Sequence, residues 1–133
     1  MKKDLDLLII SGLENRKKLL QMLSGLSINV FNVSTIGQAQ ELLARKDIGV
    51  VFCEERLPDG TFRDLLHLQS AKTRITSWVV MLTTGEWAEY LDALRLGAAD
   101  AVRCPLQSTD VEMALICATR KQREFEAPLG LSA

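Results

Sequence analysis

Short apolar runs alternate along the chain with longer stretches in which apolar residues recur every three or four positions. The runs have the length of β-strands, and the spacing in the longer stretches is that of amphipathic helices. The predicted strands cover residues 5–10, 28–32, 48–53, 78–82 and 101–102. The predicted helices cover residues 14–23, 35–45, 62–70, 87–96 and 109–124. This alternation is typical of a parallel sheet that is covered by helices on both faces.

Residues that start and stop helices support these boundaries. Leu20 falls on the predicted apolar face of the first helix, and Gly25 follows this helix at a place where a glycine commonly ends one. Thr35 and Thr109 precede the second and fifth helices, and each is followed three residues later by Gln or Glu, as in a capping box. Five strand–helix units leave no room for a second domain, so we expect one domain over residues 1–126. Residues 127–133 are predicted to be a tail or the start of a linker.

The third predicted strand leads into a candidate functional residue. Its apolar run stops at Cys53, Glu54 follows, and residues 57–60 form a Leu-Pro-Asp-Gly turn. Ligands bind at the carboxyl ends of the strands in an open parallel sheet, and the sequence therefore places the Glu54 carboxylate at a candidate site. Arg56 has two interpretations, since it could enter this site and pair with Glu54 or be an ordinary solvated loop residue.

The composition restricts the classes of partner. The net charge is −1 with 25% charged residues, which gives no sign of a surface for nucleic acid or an anionic membrane. No apolar run approaches the ~20 residues that span a bilayer, and the amino terminus, with Asp4 after two lysines, does not resemble a signal peptide. We therefore expect a cytoplasmic protein with no membrane segment and no direct nucleic-acid binding by this domain.

The cysteines and the histidine do not predict a metal or disulfide site. Cys53, Cys104 and Cys117 are an odd number without Cys-x-x-Cys spacing, and the single histidine, His67, has no ligand partner near it. We expect buried, reduced thiols and no metal. A redox-sensitive Cys104 is the alternative to a passive one, and it would require a lowered pKa and exposure.

Three segments resemble the receiver domains of bacterial response regulators: residues 54–60, residues 96–101 and Cys104-Pro105. The similarity extends from Leu5 to about Arg123. It implies a flavodoxin-like, three-layer α/β fold, in which a doubly wound, five-stranded parallel sheet of order 2-1-3-4-5 lies between five helices. It also implies a site at the carboxyl ends of strands one, three, four and five, and a cis peptide bond before the proline.

The resemblance also identifies which reactive residues of receivers are replaced in this chain. Receivers accept a phosphoryl group on an aspartate, and Glu54 stands at that position. The acidic pair that helps to hold Mg²⁺ in receivers is replaced by Ser11 and Gly12, which carry no charge. Because Mg²⁺ is usually bound through one or two carboxylates, we expect weak or absent Mg²⁺ binding and no other cofactor. The extra methylene of glutamate also matters, since a misplacement of about 1 Å can slow a positioned reaction ~10²-fold.

Three further positions complete this comparison. The switch hydroxyl of receivers is kept as Thr83, which could also be only a structural residue at the end of its strand. The lysine that pairs with the phosphoryl group aligns with Cys104, and the switch aromatic residue aligns with Ala101. The chain therefore resembles a degenerate receiver, or pseudo-receiver, that is not an enzyme. Glu54 would then be either a fixed mimic of a phosphorylated aspartate or an ordinary carboxylate neutralised by Arg56 or Arg103.

Trp87, Tyr90 and Leu94 fall on one side of the fourth predicted helix. In receivers, helix four, strand five and helix five form the face that carries dimerisation and partner docking. Because Trp and Tyr are favoured at interfaces, these residues are candidates for a protein-interaction patch or a homodimer interface. The alternative is that Leu91 and Leu94 belong to the core and the aromatic rings cover its edge.

Three functional hypotheses follow. The first is a phosphorylation-independent interaction or dimerisation module that serves a protein partner or effector domain in signal transduction. The second is a receiver that still accepts phosphoryl groups in a phosphorelay with altered chemistry at Glu54. The third is a flavodoxin-like protein that binds a cofactor, which is disfavoured because the loop of residues 11–14 has one glycine and lacks a phosphate cradle.

Overall fold

The computed structural model describes residues 5–69 and 76–126 of the chain. The strands are β1 (Leu5–Ile10), β2 (Ile28–Val33), β3 (Val50–Glu54), β4 (Arg56–Leu57), β5 (Gly60–Thr61), β6 (Ser77–Leu82) and β7 (Asp100–Arg103). The helices are α1 (Leu13–Leu23), α2 (Ile36–Arg45), α3 (Phe62–Gln69), α4 (Trp87–Arg95) and α5 (Ser108–Glu126). The predicted alternation of strands and helices is confirmed. The predicted tail lies outside the described residues.

Five strands form one parallel sheet in the order β2-β1-β3-β6-β7. Since β6 and β7 are the fourth and fifth strands of this sheet, the predicted order 2-1-3-4-5 is confirmed. The central strands β3 and β6 are buried on both faces, apart from partly exposed Glu54 at the end of β3. This explains their nearly uninterrupted apolar sequences.

The core has two layers because successive strand residues point to opposite faces of the sheet. On one face, Leu8, Val51 and Val80 pack with residues of α2, α3 and α4. On the other face, Phe52 and Met81 pack with residues of α1 and α5. The result is the expected three-layer arrangement, in which the sheet fixes where each strand delivers its last residue.

The predicted element boundaries and inward faces differ from the structure at three instructive places. The last helix begins at Ser108, so Thr109 lies in its first turn and is not the residue that precedes it. Leu20 was predicted to face the core, but it is 38% exposed because Leu19 and Leu23 already fill the inner side of α1. Cys117 is exposed, contrary to the prediction of buried thiols.

Other local predictions hold. The Thr35 hydroxyl accepts a hydrogen bond from the Gln38 N–H at 3.1 Å and caps α2. The Cys104-Pro105 bond is cis. A short hairpin of β4 and β5, which the sequence pattern did not predict, surrounds the expected turn. Gly60 has φ +153°, and a Cβ there would collide with the side chains of Asp64 and Ile36. None of the helices in the described residues is long and apolar enough to cross a membrane.

Candidate functional site

A cleft of about 500 Å³ lies at the carboxyl edge of the sheet. It is formed where β3, β6 and β7 end and where α1 begins. Its lining comprises Gly12, Leu13, Glu14, Asn15, Lys18, Glu54, Thr83, Cys104 and Pro105. Four residues that the resemblance to receivers singled out, at positions 12, 54, 83 and 104, therefore line a single cleft. Lys18 and Asn15 were not singled out from the sequence.

The Glu54 carboxylate is held by the beginning of α1. Its Oε2 atom accepts hydrogen bonds from the Gly12 N–H at 3.0 Å and from the Asn15 Nδ2 at 2.9 Å. Gly12 is the residue that caps α1, and it has no side chain with which to do so. Glu54, from a strand 42 positions away, therefore supplies a negative charge and an acceptor at the positive end of the helix.

The two arginines that were considered as partners of Glu54 lie elsewhere. Arg56 is exposed on β4, and no ion pair joins it to Glu54 in the described part of the chain. Arg103 is also exposed, and its side chain lies close against Gly85, where a Cβ atom would be 2.6 Å from the guanidinium. Asn15 is the partner that sequence reasoning missed. A polar residue in the first turn of the helix beside the site was the available signal.

The residues at the acidic-pair positions do not form a site for Mg²⁺. Ser11 is fully buried, and its hydroxyl donates to the Gly12 carbonyl at 2.9 Å. Asp6 is near the other end of β1, where it accepts from Asn29 at 2.9 Å and lies 3.6 Å from Lys46. Within residues 5–69 and 76–126, no three His, Cys, Asp or Glu side chains are placed to hold a metal. Ser11 and Gly12 therefore offer no carboxylate for Mg²⁺, and the carboxylates that line the cleft are those of Glu14 and Glu54.

Thr83 contacts the carboxylate of Glu55. Its hydroxyl and its backbone N–H lie 3.3 and 3.4 Å from the Oε1 atom of Glu55. The Glu55 side chain is only 7% exposed. Sequence reasoning passed over Glu55 because Glu54 matched the receiver pattern, although neighbouring residues of an extended segment point in opposite directions.

Cys104 makes the lysine position uncharged. Burial and then the negative charge of Glu54 raise the pKa of the Cys104 thiol, so it stays protonated at neutral pH. This disfavours the hypothesis of a reactive thiol. The Sγ atom lies 3.7 Å from the Asn15 Nδ2 atom. Lys18 lines the same cleft, but its ammonium group is 3.5 Å from the carboxylate of Glu14.

A second concavity, of about 450 Å³, lies between α4, β7 and α5. The Trp87 side chain is 69% exposed and stacks on Tyr90 at 5.1 Å between ring centroids. The Tyr90 hydroxyl donates to Asp100 at 3.1 Å, and burial and this carboxylate raise the pKa of Tyr90. We call this concavity the α4–α5 groove, and Ala101 and Met113 also line it.

Exposed apolar side chains also occur on the two helices that form the α4–α5 groove. Exposed apolar side chains on α4 and α5 include Leu91, Met113 and Ile116. Leu94 is half-buried and does not line the groove. The alternative in which Leu91 belongs to the core is wrong, since Leu91 is 37% exposed. Its other part holds for Tyr90, which is partly buried and packs against the core.

Comparison with solved structures identifies the fold. A signal receiver domain from Vibrio parahaemolyticus superposes with a TM-score of 0.82 at 18% identity, over 93% of this chain and 98% of that one. A signal receiver domain of an HD domain-containing protein from Pseudomonas fluorescens superposes with a TM-score of 0.79 at 21% identity, over 93% of this chain and 92% of that one. A two-component response regulator from Clostridium difficile superposes with a TM-score of 0.77 at 23% identity, over 89% of this chain and 98% of that one.

Neither the models of protein families nor the curated protein sequences give a match to this chain. At the identities found among solved structures, the similarity establishes the architecture and not the chemistry of the site. The chain therefore has the fold of a response-regulator receiver domain.

Proposed function

We propose that this chain is a pseudo-receiver: a cytoplasmic protein-interaction or dimerisation module in two-component signal transduction that works without phosphorylation. The observation that carries the proposal is how the Glu54 carboxylate is hydrogen-bonded. Its Oε2 atom accepts hydrogen bonds from Gly12 and Asn15, so the carboxylate acts as the cap of α1. A carboxylate whose Oε2 atom is held against α1 in this way, and whose side chain is one methylene longer than aspartate, is poorly placed for a positioned phosphoryl transfer.

The rest of the cleft supports the same conclusion. Phosphoryl transfer relies on positioning and on positive charge that stabilises the transition state. Ser11 and Gly12 offer no carboxylate for a metal, and the Cys104 thiol is uncharged where receivers carry a lysine. We propose accordingly that Mg²⁺ binds weakly or not at all.

The α4–α5 groove supports an interaction function. An exposed Trp87 stacked on Tyr90 is a rigid aromatic surface of the type that contributes most binding energy at interfaces. Met113 and Ile116 extend this apolar surface along α5. The proposed occupants of this face are a second copy of the chain, a protein partner or an effector domain.

The direct test is incubation of the protein with a small phosphodonor and Mg²⁺, followed by intact mass measurement. We expect no added phosphoryl group and no change in tryptophan fluorescence when Mg²⁺ is added. A receiver with an intact aspartate serves as the positive control, and Glu54→Gln controls for modification at other residues. An adduct in the parent protein that Glu54→Gln abolishes would favour the second hypothesis, a receiver with altered chemistry, and would overturn the proposal.

A further inference from the structure

Among the described residues, Glu55 is the most deeply buried carboxylate, and the proposed function does not use it. Its side chain is 7% exposed at the end of β3. Its backbone is fixed on both sides, since its N–H donates to Met81 at 2.9 Å and its carbonyl accepts from the Phe62 N–H at 3.2 Å. Burying a charged group is costly unless it is hydrogen-bonded, and a position this constrained therefore requires a partner.

Thr83 is that partner. Both the hydroxyl and the N–H of Thr83 are directed at the Oε1 atom of Glu55, at 3.3 and 3.4 Å. These distances are at the long end of the hydrogen-bond range, but two donors from one residue converge on one anionic oxygen. Glu55 and Thr83 are 28 positions apart in sequence, so this contact ties the end of β3 to the end of β6.

The segment after Thr83 is held at further points. The Thr84 hydroxyl donates to the Glu89 carboxylate of α4 at 2.9 Å. The Arg103 side chain lies against Gly85, where a Cβ atom would be 2.6 Å from the guanidinium. Residues 84–86 also form one wall of the α4–α5 groove. The position of Thr83 is therefore connected through a short, tied loop to the shape of this groove.

We propose that Glu55 is a positioning residue that holds Thr83, and with it the loop of residues 83–86, in one arrangement. A carboxylate of the chain itself then fixes the wall of the α4–α5 groove, and no added phosphoryl group is required. This inference rests on the proposed function, because it explains how an unphosphorylated module keeps a defined interaction face.

The test uses amide hydrogen exchange and ¹H–¹⁵N spectra of the full chain. Glu55→Gln keeps the shape of the side chain and removes its charge. We expect hydrogen exchange of the Thr83 amide to become about fivefold faster, because its hydrogen bond to Glu55 would lose the contribution of the negative charge. We also expect the amides of residues 84–86 and the indole N–H of Trp87 to shift. Thr83→Ala should shift the same signals in the same direction. The double variant of Glu55→Gln and Thr83→Ala should shift them no further than either single variant does.

Two further variants separate positioning from general destabilisation. Thr83→Ser retains the hydroxyl and loses the methyl group, so residues 84–86 should give the same signals as in the parent protein. If Thr83 acted only through the packing of its methyl group, Thr83→Ser would shift these signals as Thr83→Ala does. Glu41→Gln, at an exposed position on α2, should leave the Thr83 amide unchanged. If Glu55→Gln does not fold, the comparison of Thr83→Ala with Thr83→Ser still decides the question. Unchanged signals for residues 84–86 in Thr83→Ala would overturn the proposal.

This result is independent of the phosphodonor test. An adduct at Glu54 together with coupled shifts from Glu55 and Thr83 would refute the pseudo-receiver function and leave the role of Glu55 supported. Absence of an adduct together with uncoupled shifts would refute only the role of Glu55.

Discussion

Glu54 and Glu55 are chemically identical neighbours with different tasks, and their surroundings explain the difference. The Glu54 carboxylate lines the cleft and meets the first N–H of α1. The Glu55 carboxylate is buried and meets Thr83. Because successive residues at the end of a strand point in opposite directions, one strand end delivers two carboxylates to two different elements.

The role of Glu54 as a helix cap predicts a loss of stability on its removal. Glu54→Ala leaves the Gly12 N–H and the Asn15 amide without their acceptor, so we expect the free energy of unfolding to fall by about 1–2 kcal/mol. Urea unfolding at neutral pH measures this change. Glu41→Ala, at an exposed position on α2, is the matched control and should lie within about 0.5 kcal/mol of the parent. Equal losses in both variants would contradict the capping role.

At the scale of elements, the loop after β3 fastens two helices. Glu54 caps α1, and five residues later Asp59 caps α2 from outside that helix. The Asp59 carboxylate accepts from the Ile36 N–H at 2.8 Å and from the Gly37 N–H at 3.1 Å. The hairpin of β4 and β5 shapes the segment between these two carboxylates. The loop is thus fixed at both ends to the amino termini of neighbouring helices.

The Asp59 carboxylate makes the stability of the folded protein depend on pH. The backbone N–H groups of Ile36 and Gly37 lower the pKa of Asp59 below 3.8 in the folded protein. Since the folded pKa is the lower one, the stabilisation is complete well above the unfolded pKa and is lost as the pH falls through the folded pKa.

We therefore expect Asp59→Asn to lower the melting temperature at neutral pH. The difference from the parent should shrink progressively below about pH 4, where the carboxyl group of the unfolded chain becomes protonated. Thermal unfolding between neutral and acidic pH measures both curves. Glu41→Gln is a control at another exposed acidic position. A difference that is constant over the whole pH range would contradict a role for the charge.

At the scale of the whole molecule, the cleft and the α4–α5 groove lie on either side of the loop of residues 83–86. Thr83 lines the cleft, and residues 84–86 line the groove. The fold is that of a receiver domain, while Gly12 and Cys104, which line the cleft, are uncharged. Trp87 is exposed at this groove and stacks on the partly buried Tyr90.

If two copies associate through this face, Trp87→Ala and Tyr90→Ala should each weaken the dimer. Loss of an interface residue that contributes ~2 kcal/mol raises the dissociation constant about 30-fold. Sedimentation equilibrium measures this constant. Leu13→Ala is the control, because Leu13 is an apolar residue of α1 that is 57% exposed and does not line this groove. An equal effect of Leu13→Ala, or a parent protein that is monomeric at all concentrations, would contradict a homodimer at this face.

The sequence by itself determined the alternation of strands and helices, the residue at each receiver position and the cap at Thr35. These depend on local periodicity and on short-range hydrogen bonds, which a linear pattern records. Its errors at Leu20 and Thr109 concern which side of a helix is buried and where a helix begins. Packing against other elements decides both, and so the local pattern is insufficient.

Only the tertiary structure decided which groups meet at the sheet edge. The partners of Glu54, Glu55 and Asp59 lie 22 to 42 positions away in sequence. No periodicity encodes such pairs, because they arise where parallel strands end side by side against the beginnings of helices. The sequence named Glu54 as the carboxylate at the acceptor position. The fold made that carboxylate a helix cap and brought Glu55 to Thr83.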